Sequence, residues 1–350
     1  MPGVARQPFG IPPMDKKNAK IQTARHILKK VLTSILTIYV IITISFLMVH
    51  FMPGDVIKHL IGTEDYYFLL ENNPEELERV ITKYGLNDPL HIQYLKYLKS
   101  IATMDFGVSY NNNQPVIYNV LKCCKWTLLI SVPTLILGGV FGAVLGIIAG
   151  WHPGGKFDMI MTPISLFMNT VPSNCIGILM LVVFSYKLRI FPISGMTSGM
   201  LTGAEYVKDL LLHMALPLII MVMFRTFSDF MTMKSSVSQV RREDYTTTAA
   251  AKGLPDRKVL FKHVMRNAML PYITSMCMQM GGLLSGSMIV ETIFGWKGMG
   301  QLYYQAVTNR DFPTAQLCFL ISAVCVVLAT LLSDIVIALI DPRIKEKVNA

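Results

Sequence analysis

Residues 242–271 read Arg-Glu-Asp-Tyr-Thr-Thr-Thr-Ala-Ala-Ala-Lys-Gly-Leu-Pro-Asp-Arg-Lys-Val-Leu-Phe-Lys-His-Val-Met-Arg-Asn-Ala-Met-Leu-Pro, and they lie between two long apolar runs. A segment that only reconnects two membrane spans can be short and polar. This one predicts a helical hairpin. Asp244–Lys252 is rich in Ala and Thr, and Gly253 suits the left-handed turn that closes a helix. Pro255 blocks continuation, and Asp256 is placed to start a second helix over Arg257–Leu270. On that second helix Val259, Leu260, His263, Val264 and Asn267 share a broad face, with Arg257, Lys258, Lys262 and Arg266 around it. An apolar stripe with a basic rim suits lipid head groups or a groove in a partner protein.

The surroundings of the hairpin are membrane. Hydrophobic residues make up 52% of the 350 and charged residues 15%, against roughly 25% charged in soluble domains. A helix needs about 20 apolar residues to cross a bilayer core. Val31–Met52, Trp126–Gly150, Met159–Tyr186, His213–Met233, Pro271–Phe294 and Thr314–Ile340 each qualify, so the expected fold is all-α and polytopic with six transmembrane helices. The first run is too long for the core of a signal peptide and lacks a small-residue cleavage site after it, so it reads as an uncleaved span.

Lys and Arg set the orientation. With the N-terminus inside, the inner segments hold 19 basic residues and the outer ones 12, and both termini are cytoplasmic. The net charge of +10 therefore reads as a topology signal and not as a nucleic-acid surface. The chain divides into a basic head (1–28), a first span (29–52), an extracytoplasmic segment (53–125), a five-helix core (126–340) holding the loop 234–270, and a tail (341–350). Within 53–125, Pro74–Tyr84 ended by Gly85, and His91–Ile101, read as helices. The six cysteines show neither metal spacing nor a framework of pairs, and the adjacent Cys123 and Cys124 read as packing residues.

Inside the spans, Gly138, Gly142, Gly146 and Gly150 line one helix face, which lets another backbone approach closely. Gly282 and Gly286 repeat the pattern more weakly. Pro163, Asn169, Pro172 and Asn174 interrupt the third span; such groups at membrane depth need protein or a watery cavity around them, which places Asn169–Asn174 near a pathway. Arg225 and Asp229 are four apart and opposite in sign, so they read as an internal ion pair, or as residues that line that pathway or couple its gate. Glu291 and Asp334 are isolated acids near opposite membrane surfaces, and each needs a protein partner. There is no phosphate loop, no zinc-protease motif and no nucleophile elbow. No buried relay of titratable groups supports a carrier driven by a gradient, so energy for active transport has to come from another chain.

Thr247-Thr248-Ala249-Ala250-Ala251-Lys252-Gly253, followed by Leu270-Pro271 before a span, resembles the "EAA" loop of ATP-binding-cassette importer permeases. Thr247 stands where the general motif has Glu, and Pro271 falls five residues late, with Arg266 at the usual position. Both departures match the dipeptide/oligopeptide/nickel branch. His50-Phe51-Met52-Pro53-Gly54-Asp55, Tyr84 to Tyr94, Asp105 to Tyr110, Phe191 to Gly195, Val290 to Trp296 and Asp341-Pro342-Arg343 resemble further landmarks, and the long outer segment resembles the B-type subunit.

The resemblance implies a type I importer permease fold and a role as the membrane-spanning subunit of an ATP-driven importer of peptides, or of nickel, glutathione or another small solute. It implies a homologous C-type permease, two cytoplasmic ATPases and an extracytoplasmic binding protein as partners. ATP and Mg2+ then sit on the ATPases, with no cofactor and no catalytic residue on this chain. The ATPase-docking surface it implies is Thr248, Ala249, Ala250, Gly253, Leu254, Pro255, Asp256, Arg257, Lys258, Leu260 and Phe261.

Overall fold

The computed structural model describes residues 16–51, 62–83, 88–285 and 288–340. The Pro-rich start of the head, Met52–Asp55, Tyr84–Asn87, Gly286 and the tail 341–350 lie outside the described residues. Everything described is helix or short connection, apart from one isolated bridge between Val108 and Pro115. The helices are α1 (Lys16–His50), α2 (Thr63–Asn72), α3 (Pro74–Lys83), α4 (Leu90–Thr103), α5 (Val116–Trp151), α6 (Lys156–Thr170), α7 (Ser173–Met180), α8 (Gly203–Arg241) and α9 (Asp244–Ala251). They continue with α10 (Met265–Met280), α11 (Met288–Ile293), α12 (Met299–Thr308) and α13 (Phe312–Ile340).

Among the described residues, four helices are long and apolar enough to cross a membrane: Leu28–Met48 of α1, then α5, α8 and Phe312–Val336 of α13. The third expected span is two helices bent by 96° at a break between Thr170 and Ser173, and α7 runs on as a π-helical turn, Leu181–Lys187. Pro172 explains the break, since it pushes Val171 to an extended ψ of 129° and cannot supply an N–H to α6.

The expected fifth span is not one helix either. It opens at Asp256–Lys258, passes through a π-helical stretch, Val259–Val264, and continues as α10, so Pro271 lies inside a helix and does not begin one. The run then tightens to a 3-10 turn at Gly281–Leu283, where a Cβ on Gly281 would stand 2.9 Å from the Val326 backbone. Gly281 is therefore the packing glycine of this segment, whereas Gly282 faces open space. The first helix also differs from expectation, because it starts at Lys16, well inside the basic head.

α5 and α8 form the spine. A Cβ on Gly142 would stand 2.6 Å from that of Asp229, one on Gly146 2.7 Å from that of Met233, and one on Gly150 2.8 Å from that of Val237. Gly138 receives the stem of Arg225 in the same way. Both sides advance by four residues together, so the helices run parallel, one turn against one turn. The opposite face of α5 (Val140, Phe141, Val144, Ile148) points outward, as do Leu32, Leu36 and Tyr39 of α1. Such a continuous apolar exterior is stable against lipid and not against water.

α13 joins the spine at the end where α5 begins: Val116, Val120 and Cys124 pack with Met299, Leu317 and Cys318. Asp311, buried just before α13, accepts from the Thr314 hydroxyl at 2.8 Å, from the Tyr110 N–H at 3.2 Å and from the Ser109 hydroxyl. That one carboxylate ties the segment before α5 to the bundle. α1 lies antiparallel to α13 at the periphery, with Lys30 Nζ 2.9 Å from Asp334. Towards its other end Phe46 meets Tyr94 of α4 edge-on at 5.2 Å, and Thr43 shares a hydrogen bond with the Tyr94 hydroxyl at 2.8 Å. Asp334 thus has the protein partner its position demands.

Gly146→Leu should drive a side chain into the α8 backbone. Overpacking of this kind costs about 1–3 kcal/mol, so the thermal unfolding midpoint in detergent, followed by circular dichroism, falls. Val144→Leu, on the outward face, should leave it unchanged.

Candidate functional site

The glycine seam positions an ion pair. Arg225 donates its Nε–H to Asp229 Oδ2 at 2.6 Å and an Nη2 hydrogen to the Met276 sulfur at 3.3 Å. Asp229 is fully buried and also accepts from Gln279 Nε2 at 3.3 Å. Burial of this carboxylate without partners would cost several kcal/mol; here Arg225 and Gln279 both face it. Arg225 also lines a cavity of about 420 Å3, together with Asn169, Ser173, Ser228, Phe224 and Val290. Arg225 is therefore both half of an internal ion pair and a wall residue of this cavity. Asn169 joins it, while Pro172 and Asn174 do not line the cavity and Asp229 stands behind Arg225.

A second groove, of about 680 Å3, continues along the same helix and is lined by Met231, Lys234, Ser235, Ser238, Gln239 and Arg242, with Glu243 and Asp244 at its end. The lining residues of the two cavities on α8 and its C-cap recur every three or four positions from Ile220 to Arg242. One face of α8 thus borders open space for about 33 Å at 1.5 Å per residue, close to the roughly 30 Å of a bilayer core. At one end the cavity lined by Arg225 meets an apolar cluster of Leu216, Ile220, Val290 and Phe294, backed by Phe184 and Phe191. At the other the groove reaches the hairpin.

In the hairpin α9 is closed by Gly253 at φ +77°, the left-handed conformation that only glycine adopts without strain. The limbs are cross-tied by Asn267 Nδ2 to the Tyr245 hydroxyl at 2.6 Å. The apolar face of the second limb points inward: Val259 and Val264 are buried, and Leu260 packs against Met233, Val237, Val264, Ala268 and Tyr272. Ala249 is buried too, and Leu254 is half-buried. The stripe that looked ready for a partner is already used by the bundle. What faces outward is Thr248, Ala250, Gly253, Pro255, Asp256, Arg257, Lys258 and Phe261, the last with 67% of its surface exposed.

Of two further clusters, the sequence named only Glu291, as an acid in need of a partner, and neither the partners nor Asp158. At the hairpin end Lys234 reaches from α8 to Asp158 at 2.5 Å and to the Thr162 hydroxyl at 2.6 Å, and Asp158 accepts the Gly154 N–H at 2.9 Å. Arg241 lies 5.3 Å over the Trp151 ring beside it. The signal present was an acid in the first turn after Gly154-Gly155, the place where a helix N-terminus draws a carboxylate. At the opposite end Glu291 is fully buried, accepting from the Thr127 hydroxyl at 2.9 Å and the Gln301 N–H at 3.1 Å. It thereby caps α12. A Cβ on Gly298 would stand 2.5 Å from this carboxyl group and one on Gly300 2.9 Å, so the Gly-Met-Gly spacing is what admits Glu291. Thr127 also accepts the Met299 N–H at 2.7 Å, and Trp296 Nε1 donates to the Trp126 carbonyl at 2.9 Å.

No three His, Cys, Asp or Glu side chains gather into a metal-holding group among the described residues, and the six cysteines are free. Cys124 is buried with its sulfur 3.4 Å from that of Met299.

A family described as the binding-protein-dependent transport system inner membrane component matches residues 142–346, and its N-terminal companion matches 23–131. The chain belongs to this family. It is 32% identical over 323 residues to the oligopeptide transport system permease protein AppB of Bacillus subtilis, covering 92% of this chain and 99% of that one. It is 30% identical to the dipeptide transport system permease protein DppB of Escherichia coli, over 87% and 94%. It is 31% identical to the glutathione transport system permease protein GsiC of Shigella boydii, over 92% and 99%. The chain is thus a multi-pass inner membrane permease of a binding-protein-dependent importer, and the α8 groove and the hairpin are features of a transport subunit.

Glu291→Ala strips the cap from α12 and leaves the Gln301 N–H and the Thr127 hydroxyl without their acceptor, at about 1–3 kcal/mol. Gly298→Ala pushes a methyl into the same carboxylate. Each should lower the thermal midpoint of the permease, measured as intrinsic fluorescence on heating, whereas Glu205→Ala should not.

Proposed function

We propose that this permease carries peptides across the cytoplasmic membrane by alternating access, as one half of an ATP-driven importer. The other half is a homologous C-type permease, and the face of α8 that borders open space is the wall the two share around the pathway. The observation that carries this reading is the continuity of that face: it crosses a bilayer's depth and ends at an exposed hairpin. Two ATPases, binding ATP and Mg2+, dock on the hairpins, and an extracytoplasmic binding protein delivers substrate at the other surface. This chain itself binds neither nucleotide nor metal and catalyses no reaction.

Six crossings fit the packing. α5, α8 and α13 run in one direction, judged from the glycine seam and from the cluster shared by the starts of α5 and α13. Each consecutive pair of them therefore needs one return crossing between, which the bent α6–α7 pair and α10 supply. α1 runs against α13 and adds the sixth. The hairpin then faces the cytoplasm with both chain ends, in agreement with its basic residues. A membrane-impermeant maleimide should label Phe68→Cys in intact cells, and Lys262→Cys only after permeabilisation, in a background whose native cysteines are replaced. Labelling of both from outside would overturn this orientation.

Phe261 is the most exposed large apolar residue of the hairpin, so it is the natural anchor for an ATPase groove. Phe261→Asp should abolish ATP-driven uptake in proteoliposomes while membrane insertion and the thermal midpoint stay normal. Gly253→Pro should do the same, because proline cannot adopt φ +77°. Unimpaired uptake by either variant would remove the hairpin from the coupling mechanism. Peptides are favoured as cargo by the names of two of the relatives, AppB and DppB. Glutathione, itself a peptide derivative, is the second reading, favoured by GsiC. Competition for uptake between tripeptides and glutathione distinguishes the two.

A further inference from the structure

Arg225 has more donors than its partners use. Its Nε–H serves Asp229 and one Nη2 hydrogen meets the Met276 sulfur, a weak acceptor, while Nη1 has no hydrogen-bond partner among the described residues. The side chain is also held from behind. Its stem lies on the bare face of Gly138, and Asp229 is fixed in turn by Gln279. The guanidinium therefore cannot swing away, and its spare amino edge is the part left to meet whatever enters the cavity that Arg225 lines.

The same wall offers an acceptor. Asn169 spends its Nδ2 on the Ser165 carbonyl at 2.9 Å, which leaves its Oδ1 for an incoming N–H. Phe224 and Met221 give the cavity an apolar side. Its volume, about 420 Å3, falls in the range of small-molecule sites, roughly 300–1,000 Å3. A fixed cation, an amide oxygen nearby and an apolar flank together match one chemical unit, the C-terminal residue of a peptide, with its carboxylate, backbone N–H and side chain. Asp229 offsets the charge of Arg225, so the pair suits a single carboxylate better than a multiply charged anion such as a phosphate ester.

We infer that Arg225, oriented by Asp229 and Gly138, is a subsite for the substrate's terminal carboxylate, with Asn169 Oδ1 accepting the adjacent N–H. This rests on the reading of the cavity as part of the translocation path. Arg225 then distinguishes free peptides from carboxyl-blocked ones inside the membrane, independently of the binding protein.

The test uses the assembled permease–ATPase complex in detergent without binding protein, with calorimetric titration of trialanine and of trialanine amide. Wild type should bind the free acid at least tenfold more tightly than the amide. Two variants probe the cause. Arg225→Lys keeps a charge opposite Asp229 but loses the fork of donors, and the pair Arg225→Gln with Asp229→Asn removes both charges without stranding either. Both should assemble normally and bind acid and amide alike. Equal or absent binding of the two ligands by wild type overturns the subsite, as does discrimination that survives in both variants. ATP-driven peptide uptake by the complete system is measured alongside. If uptake proceeds while discrimination is missing, only the subsite fails; if wild type takes up no peptide, the broader reading fails as well.

Discussion

The contact between α5 and α8 is the constraint on which the rest depends. In lipid no hydrophobic drive pushes two apolar helices together, so association needs close van der Waals contact along a matched seam. Four glycines supply it, and their partners Arg225, Asp229, Met233 and Val237 follow in register. This pairing fixes the rotation of α8 about its axis. Rotation then decides which α8 residues line the two cavities and which hold Asp229 out of lipid. A buried charge pair on a helix this apolar is tolerable only where its surroundings are this well determined.

The seam also explains why the two ends of the molecule are built differently. At the hairpin end α8 is secured by polar contacts, Lys234 to Asp158 and Arg241 over Trp151, which are adjustable and exposed in part. At the opposite end the apolar cluster around Phe294 and the fully buried Glu291 cap leave little freedom. The hairpin end thus adds an ion pair and a cation–ring contact to its apolar cluster, whereas the opposite end adds a helix cap to its own.

Much of this was legible in the sequence. Four of the long spans, the glycine face, the Arg225–Asp229 pair and the need of Glu291 and Asp334 for partners all follow from periodicity and the cost of charge in lipid. The hairpin's turn was legible because Gly253 and Pro255 act locally. Its orientation was not. An apolar stripe looks the same whether it faces a partner or its own bundle, and only the burial of Val259 and the packing of Val264 against Met233 and Val237 decide the matter. The fifth span misled for a related reason: Pro271 marks a helix start in many chains, yet here the helix had begun earlier and simply carried the proline through. Asp158 and Asp311 escaped notice because their partners lie far off in sequence, at Lys234 and at Ser109 and Tyr110.

The cap on α12 has a consequence for how such a chain can drift over generations. Glu291, Gly298 and Gly300 occupy one volume: the carboxylate fills the space that two missing side chains leave open. A methyl group at 298 is harmful beside glutamate and harmless beside a much smaller residue, while a smaller residue at 291 is harmful beside the glycines. Neither single step is neutral, so these positions are expected to change together or not at all. The mutational history of this corner is therefore a matter of epistasis, set by a few ångströms of shared space.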